Sequence, residues 1–286
     1  METKTSNKPS VYELINTKIV EQLENGIIPW KKSWINARWP QNLVSGSPYR
    51  GVNVLLLTSP CFSQNYFLSF QQLKELGGKV KKGAIPCPVL YWKDAENGGK
   101  AIPRYRSVYN VEQCEGIPKE KIKSVQKIIF SEKHCEEIIR NMPERPQFKD
   151  NDKASYSVVN DFVMMPQRAM YKRAESYFGL FFYQLVHSTG HPKRLNRKGF
   201  AENKDWNEKP DVTEKLIAEI GTGFIKTLVG MEEIKVKQNP ITIERWLKAL
   251  KKNNSLVIYA ATQAQKAVDY ILNSKREISG KEDLPL

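Results

Sequence analysis

The stretch Tyr177–Pro192 reads YFGLFFYQLVHSTGHP and is the most informative part of this chain. The residues before its first histidine are almost entirely apolar, which is typical of a buried helix. Gly190 and Pro192 end this pattern, since glycine favours helix C-termini and proline restricts the residue before it. The chain has three histidines, and two of them, His187 and His191, lie in this stretch. The pattern predicts a candidate site at the end of a buried helix.

The spacing around His187 can be compared with the needs of a zinc peptidase. Enzymes of the His-Glu-x-x-His type place two imidazoles one helical turn apart, and the glutamate takes a proton from the metal-bound water. This chain has Tyr183 and Gln184 at the corresponding positions. A neutral amide cannot accept that proton, and a tyrosine ligates only as a phenolate, whose ordinary pKa is about 10. Gln184 occupies the general-base position, so we predict no catalytic residue.

A metal ion bound at His187 would need further ligands. His191 is one candidate, but the neighbouring glycine and proline place it at or beyond the helix end, so its direction stays open. A carboxylate from the next helix could complete the site. Asp211 and Glu214 fit an N-cap and capping-box pair, which explains Glu214 without a function, whereas Glu219 has no such local role. We therefore expect His187, Glu219 and His191 as ligands, and the alternative is two hydrogen-bonded histidines in a degenerate site.

Periodicity and turn residues predict an α+β protein of two domains, the second mostly helical. We place the domains at residues 8–130 and 131–286, with the boundary just before a predicted helix at Ser131–Asn141. In the first domain we predict helices at Val11–Asn25, capped by Ser10 and Glu13, and at Ser69–Leu76, and strands at Val80–Trp92 and Ile102–Val111. In the second we predict strands at Ala154–Val159 and Asp161–Met165 and helices at 168–189, 212–229, 241–252 and 255–273.

Composition narrows the class of protein. The 286 residues are 40% hydrophobic and 27% charged, as in ordinary globular proteins, and the net charge of +14 indicates a polyanionic partner such as nucleic acid. The four cysteines form no Cys-x-x-Cys pair, which favours buried thiols over a disulfide framework or a thiolate zinc site. The sequence shows neither a secretory signal nor a membrane span, so we expect a cytoplasmic protein.

Aromatic and basic residues interleave in the N-terminal half, outside any periodic element. Tryptophan and tyrosine rings stack on unpaired bases while lysine and arginine contact phosphates, so the pattern favours single strands. Packing in the core is the alternative for each ring taken alone, and for Trp92 it is the preferred interpretation. The residues predicted to contact nucleic acid are Trp30, Lys31, Lys32, Trp34, Arg38, Tyr49, Arg50, Asn53, Lys81, Lys82, Arg104 and Arg106.

Several segments resemble the ArdC-type antirestriction proteins. In the first domain the resemblance rests on Val11–Ile15, Gly26–Trp30, Tyr49–Asn53, Gly78–Gly83 and Tyr109–Gln113. In the second it rests on Met165-Pro166, Tyr183–Arg197, Leu216–Gly221, Trp246-Leu247 and Ala264–Ile271. The matching segments follow the family's order over nearly the whole chain.

The resemblance implies an N-terminal domain that binds single-stranded DNA and a zincin-like metallopeptidase domain after it. It also maps the family's first zinc histidine to Tyr183 and its catalytic glutamate to Gln184. We therefore expect a single-stranded-DNA-binding antirestriction protein of a mobile element, associated with plasmid conjugation, whose zincin-like domain is inactive. We expect zinc to be weakly bound or absent, and DNA binding to lie in a separable first domain. The alternative is an active zinc-dependent metallopeptidase targeted to DNA by that domain.

Overall fold

Helices and strands alternate in the N-terminal half, and helices dominate the C-terminal half. The computed structural model describes residues 9–31, 39–58, 60, 62–94, 101–124, 127–198, 200, 211–231 and 239–274. The α+β fold class predicted from the sequence is confirmed. No helix in these ranges is long and apolar enough to cross a membrane.

The N-terminal half is built around a four-stranded sheet. Its strands are β1 (Gln41–Asn42), β2 (Tyr66–Ser69), β4 (Cys87–Lys93) and β5 (Ile102–Asn110), in the order β1-β2-β5-β4. Strands β3 (Lys79–Val80) and β6 (Cys114–Glu115) form a separate two-stranded sheet. The helices of this half are α1 (Val11–Glu24), α2 (Val52–Thr58) and α3 (Phe70–Glu75). The predicted capping box of α1 is present: Ser10 Oγ accepts from the Glu13 N–H, and the Glu13 carboxylate accepts from the Ser10 N–H.

In the described part of the C-terminal half, a small sheet packs beside five helices. The strands β7 (Gln147–Asp150), β8 (Ser155–Ser157) and β9 (Phe162–Met165) form a sheet in the order β7-β9-β8. The helices are α4 (Glu132–Asn141), α5 (Ala174–Ser188), α6 (Val212–Leu228), α7 (Pro240–Lys252) and α8 (Leu256–Ile271). Helix α6 packs against both α5 and α8, which places the predicted site residues of α5 and α6 on neighbouring elements.

Some predicted elements differ from the observed ones. The predicted strand Val80–Trp92 is two strands, β3 and β4, because a turn at Lys82-Gly83, with Gly83 at φ +81°, separates them. The helix predicted at 168–189 begins only at Ala174, after a separate 3₁₀ turn at Arg168–Met170. Helix α2 and strand β7 were not predicted, since neither short segment carries a clear period.

One hydrophobic core crosses the boundary predicted near residue 130. Ile15 and Ile19 of α1 belong to the same buried cluster as the helices of the C-terminal half. The Trp30 ring packs edge-to-face on Trp246, with 5.1 Å between ring centroids. The Asn16 side chain donates a hydrogen bond of 2.9 Å to the Leu250 carbonyl. The first helix and Trp30 therefore pack in a core that the two halves share, and the separability of the first domain stays a prediction.

Candidate functional site

Helix α5 brings Tyr183, Gln184 and His187 to its C-terminal turns. Residues four apart lie on the same helix face, and the Tyr183 and His187 rings meet edge-to-face with 4.8 Å between centroids. Gln184 is buried. The helix continues to Ser188 and is followed by a turn at Gly190, as the sequence predicted for the end of this helix.

The His187 imidazole is fixed by Glu214 of α6. Its Nδ1 lies 3.2 Å from a Glu214 carboxylate oxygen. The same carboxylate accepts from the Arg197 guanidinium, with 2.9 Å from Nε to Oε2 and a second contact from Nη2. Arg197 also donates to Thr189 Oγ1 and to backbone carbonyls at the end of α5, and both Arg197 and Glu214 are buried. Charged groups at such depth need partners, and here each provides one for the other.

This network corrects the capping-box interpretation of Glu214. Asp211 caps α6 by accepting a hydrogen bond from the Thr213 N–H, but the Glu214 side chain turns inward to Arg197 and His187. Sequence reasoning missed Arg197 as its partner. The sequence does place Arg197 near His187, in the basic run that follows α5. It does not show which way this long side chain points, because a loop residue has no regular orientation.

Glu219 lies five residues after Glu214 on α6 and contacts Lys31. Its carboxylate is 3.4 Å from the Lys31 ammonium, which extends from the 3₁₀ turn Pro29–Lys31 of the N-terminal half. Burial raises the pKa of the Tyr183 phenol, and the negative charges of Glu219 and Glu214 raise it further. Tyr183 therefore stays a neutral phenol near pH 7 and is a poor metal ligand.

His191 is not brought to this group. Its Nδ1 accepts a hydrogen bond of 3.2 Å from the Lys193 N–H and lies 3.8 Å from the Asp161 carboxylate. Burial lowers the pKa of His191, although the Asp161 charge opposes that shift. Asp161 is in turn bound by the buried Arg194 guanidinium. The prediction that His191 joins His187 and Glu219 is therefore wrong, because the loop after α5 directs it to Asp161.

The donor set at this site does not fit a divalent cation. Within the described ranges, no group of three His, Cys, Asp or Glu side chains is arranged to hold a metal ion. Besides Glu214 and Arg197, the groups near His187 and Glu219 include the neutral Tyr183 phenol and the Lys31 ammonium, whose positive charge repels a metal ion. A zinc site requires three or four anionic or imidazole donors. Here both nearby carboxylates already have a cation, since Arg197 binds Glu214 and Lys31 pairs with Glu219.

Three of the residues predicted to contact DNA are buried. Trp30 is only 4% exposed, so no base can stack on its ring, and Tyr49 is 8% exposed. Asn53 is fully buried and pairs with the Leu90 backbone, donating to its carbonyl at 2.8 Å and accepting from its N–H at 2.7 Å. The predicted DNA contacts of these three residues are corrected to packing and structural hydrogen bonding.

Two predicted basic contacts pair with acidic residues of the C-terminal helices. Lys31 contacts Glu219 of α6, and the Arg50 guanidinium contacts Asp269 of α8. Both pairs join the N-terminal half to the C-terminal half, so the structure gives these cations a partner other than phosphate. Lys32, Trp34 and Arg38 lie outside the described residues.

The remaining predicted contacts lie on exposed surface. Lys81 and Lys82 lie in the loop after β3, and Arg104 and Arg106 lie on β5. In the β4–β5 hairpin Tyr91 pairs directly with Arg104, so the two side chains share one face. Residues two apart on a strand also share a face, which adds Arg106 and Lys93. We call Tyr91, Lys93, Arg104 and Arg106 the basic ribbon.

The basic ribbon combines an aromatic face with cations. The Arg106 guanidinium lies over the Tyr91 ring, 5.1 Å from its centroid. Lys93, Arg104 and Arg106 are exposed, and Tyr91 is partly exposed. Sequence reasoning missed Tyr91 and Lys93. The alternation of strand β4 could have indicated them, but only once the hairpin register was known.

Comparison with known proteins matches both halves of the chain to described families. Residues 9–128 match the N-terminal domain of anti-restriction factor ArdC, and residues 133–263 match a zincin-like metallopeptidase family. Two Escherichia coli proteins named DNA primase TraC are 27% and 24% identical over 93% of this chain. The chain spans only 20% and 27% of the length of these two relatives.

Two solved structures of one plasmid protein are similar to this chain. The Mn(II)-bound structure of the antirestriction protein ArdC of plasmid R388 is 26% identical, with a TM-score of 0.77, over 93% of this chain and 98% of that one. Its metal-free structure is 27% identical, with a TM-score of 0.72, over 91% of this chain and 96% of that one. Both halves of the present chain are therefore arranged as in a single solved protein.

Proposed function

We propose that this chain, which belongs to the ArdC-type family of antirestriction proteins, binds single-stranded DNA in the cytoplasm and carries a zincin-like domain without peptidase activity. The family membership, with an N-terminal ArdC domain and a zincin-like domain, rests on the matches to both halves and to the R388 structures. A plasmid source for that relative supports a role in a mobile element.

The basic ribbon is the observation that carries the DNA-binding proposal. A single strand exposes its bases, so an aromatic ring beside three cations can stack on a base while the cations contact the flanking phosphates. Its residues project from a hairpin whose outer part is exposed, and Lys81 and Lys82 add two further exposed cations. The net charge of +14 favours any such contact at long range.

The inactivity proposal rests on three groups at what we call the α5–α6 site, which consists of Tyr183, Gln184 and His187 of α5 and Glu214 and Glu219 of α6. Gln184 cannot act as a general base, and general-base catalysis typically contributes about 10²–10⁴-fold to a rate. Tyr183 is held as a neutral phenol where a ligand is required. The Lys31 ammonium lies 3.4 Å from the carboxylate of Glu219, which is one of the predicted metal ligands. One structure of the R388 relative is Mn(II)-bound, and the proposal implies that this chain differs from that relative in metal binding.

A binding experiment tests the first part. A labelled oligonucleotide should bind more tightly single-stranded than as a duplex, with log affinity falling linearly with log salt. The double variant Arg104→Ala/Arg106→Ala should weaken single-strand binding at least tenfold and reduce the salt slope by about 1.4, or about 0.7 for each lost phosphate contact. Lys133→Ala/Lys153→Ala removes two exposed cations from the C-terminal half and should leave affinity within about twofold.

Equal losses in both double variants would mean that binding depends on total charge and would contradict the assignment to the basic ribbon.

The proposed lack of peptidase activity is tested by proteolysis of unfolded casein with added Zn²⁺ or Mn²⁺. We expect no turnover above the metal-only blank. Metal-dependent cleavage that is lost in His187→Ala would support the alternative, an active metallopeptidase targeted to DNA.

A further inference from the structure

The ion pair between Lys31 and Glu219 joins a residue of the N-terminal half to the degenerate site. The ammonium and the carboxylate are 3.4 Å apart, and their side chains are 32% and 21% exposed. The pair is thus partly shielded from water, which makes its attraction stronger than that of a fully exposed pair. Glu219 also lies close enough to Tyr183 to raise the pKa of its phenol.

Lys31 is positioned by the close packing of the backbone of the preceding residue, Trp30, on α6. A Cβ on Gly223 would lie only 2.1 Å from the Trp30 carbonyl oxygen. The 3₁₀ turn therefore rests directly on α6, at a position where only glycine leaves enough room. The buried Trp30 ring contacts Trp246, which holds the turn from the other side. Glu219 lies one helical turn before Gly223, so this contact delivers the Lys31 side chain to that carboxylate.

The charges around the site explain what the ammonium does there. Glu214 has its own cation, since Arg197 binds both of its oxygens. Glu219 lies beside a neutral phenol, and a half-buried carboxylate is stabilised by a nearby positive charge. In a working zincin the metal ion supplies that charge. In this chain Lys31 forms the ion pair with Glu219, and Lys215 of the same helix adds a second positive charge nearby.

We propose that Lys31 replaces the metal as the cation of the α5–α6 site: its ammonium neutralises Glu219, excludes divalent metal and ties the N-terminal turn to α6. This inference deepens the proposed loss of the zinc site and rests on that part of the proposed function. It predicts that restoring the two lost motif residues is not enough to restore metal binding. Lys31 must also be removed.

Metal binding tests the proposal directly, with Zn²⁺ and Mn²⁺ as probes in titration calorimetry of the full chain. The compared variants are Tyr183→His/Gln184→Glu with Lys31 and the same variant carrying Lys31→Met. We expect the Lys31→Met triple variant to bind Zn²⁺ at least tenfold more tightly than the double variant. Equal affinity with and without Lys31 would overturn the proposal. A further triple variant with Lys79→Met controls for loss of one positive charge, since Lys79 forms an exposed ion pair with Glu115.

Stability measurements keep the proposal testable if the restored variants fold poorly. In the otherwise unmodified chain, Lys31→Met and Glu219→Gln should each lower Tm by about 2–4 °C, and the double variant should lower it by no more than either alone. Lys79→Met should leave Tm unchanged within about 1 °C. Additive losses from Lys31→Met and Glu219→Gln would contradict the pair.

Oligonucleotide binding by the same variants separates this proposal from the function on which it rests. Lys31→Met should leave single-strand affinity within about twofold, because the DNA contact is assigned to the basic ribbon. A tenfold loss of DNA affinity with unchanged Tm would identify Lys31 as a phosphate contact and overturn its role at Glu219. Proteolysis by the unmodified chain would instead overturn the proposed function, whatever the variants show.

Discussion

The basic ribbon and the α5–α6 site contain similar kinds of side chain in opposite situations. On the ribbon, arginines and a tyrosine lie on an exposed hairpin and contact each other only loosely. At the α5–α6 site, His187, Glu214 and Arg197 form a buried network, and Glu219 is paired with Lys31. A surface for an external ligand requires groups that are accessible to it. The ribbon meets that requirement, and the site uses its polar groups to hold the chain together.

The contrast also shows how the α5–α6 site, with Tyr183 and Gln184 in place of the His-Glu pair of the zinc motif, accommodates its buried charges. Buried charges cannot be left without partners, because their desolvation costs several kcal/mol. The network of Glu214 and Arg197 therefore has a structural role that does not depend on peptidase activity. The same change of an arginine should have very different consequences in the two regions, and this difference can be measured.

Arg197→Met should have the largest effect. It leaves the buried Glu214 carboxylate without its cation, and breaking a buried pair in this way costs about 3–5 kcal/mol in the free energy of unfolding. Urea unfolding followed by circular dichroism measures this loss. Arg106→Met on the ribbon is the matched control and should change stability by less than about 0.5 kcal/mol.

The double variant Arg197→Met/Glu214→Gln sharpens this prediction. Once the carboxylate is neutral, much of the loss should be recovered, because no uncompensated charge remains buried. A double variant as unstable as the sum of the two single changes would show that the two side chains act independently, and that Arg197 acts through its contacts with Thr189 and the α5 carbonyls.

Gly223→Ala should have the second-largest effect, because the α5–α6 site depends on the close approach of the Trp30 turn. A Cβ at Gly223 would lie 2.1 Å from the Trp30 carbonyl oxygen, so the turn must move, at a cost of about 1–3 kcal/mol. Gly179→Ala on α5 is the control. Its Cβ meets only the flexible end of Lys226 at 2.9 Å, and alanine is favoured in a helix by up to about 1 kcal/mol.

We therefore expect Gly223→Ala to lower the midpoint of urea unfolding and Gly179→Ala to leave it unchanged or raise it. Gly223→Ala should also weaken the Lys31–Glu219 pair, since the turn that carries Lys31 is displaced. If both variants were equally stable, the 3₁₀ turn would not be fixed on α6, and the shared core of the two halves would be weaker than the packing indicates.

The sequence could predict elements whose signals are local. The Ser10 and Glu13 capping box and the apolar run of α5 are examples, and both are present in the structure. The missing histidine and glutamate at Tyr183 and Gln184 were also visible, because a motif is defined by spacing alone. These features depend on residues within a few positions of one another.

The rest depends on contacts between distant segments. Whether Trp30 stacks on bases or packs in the core is decided by Trp246 and Gly223, which no local pattern connects to it. The choice between Glu214 and Glu219 likewise depends on which cation each one meets, Arg197 or Lys31. A pattern of interleaved aromatic and basic residues is therefore equally compatible with an interface between two halves of a chain and with a surface that binds nucleic acid.

His191 should give the smallest effect, and it tests the edge of the α5–α6 site. Burial lowers its pKa below the ordinary value of about 6.5, so below that value the unfolded chain binds a proton that the folded chain binds less readily. The stability contributed by the neutral imidazole is therefore fully present above about pH 6.5 and is lost as the pH falls towards the folded pKa.

His191→Asn keeps an oxygen that can accept a hydrogen bond from the Lys193 N–H but has no group that titrates in this pH range. Between pH 7.5 and 5, the free energy of unfolding should fall more for the unmodified chain than for His191→Asn, by less than about 1 kcal/mol. Parallel curves would show that Asp161 compensates fully for burial of the imidazole, and a steeper fall in His191→Asn would show that the charged form of His191 is the one the fold favours.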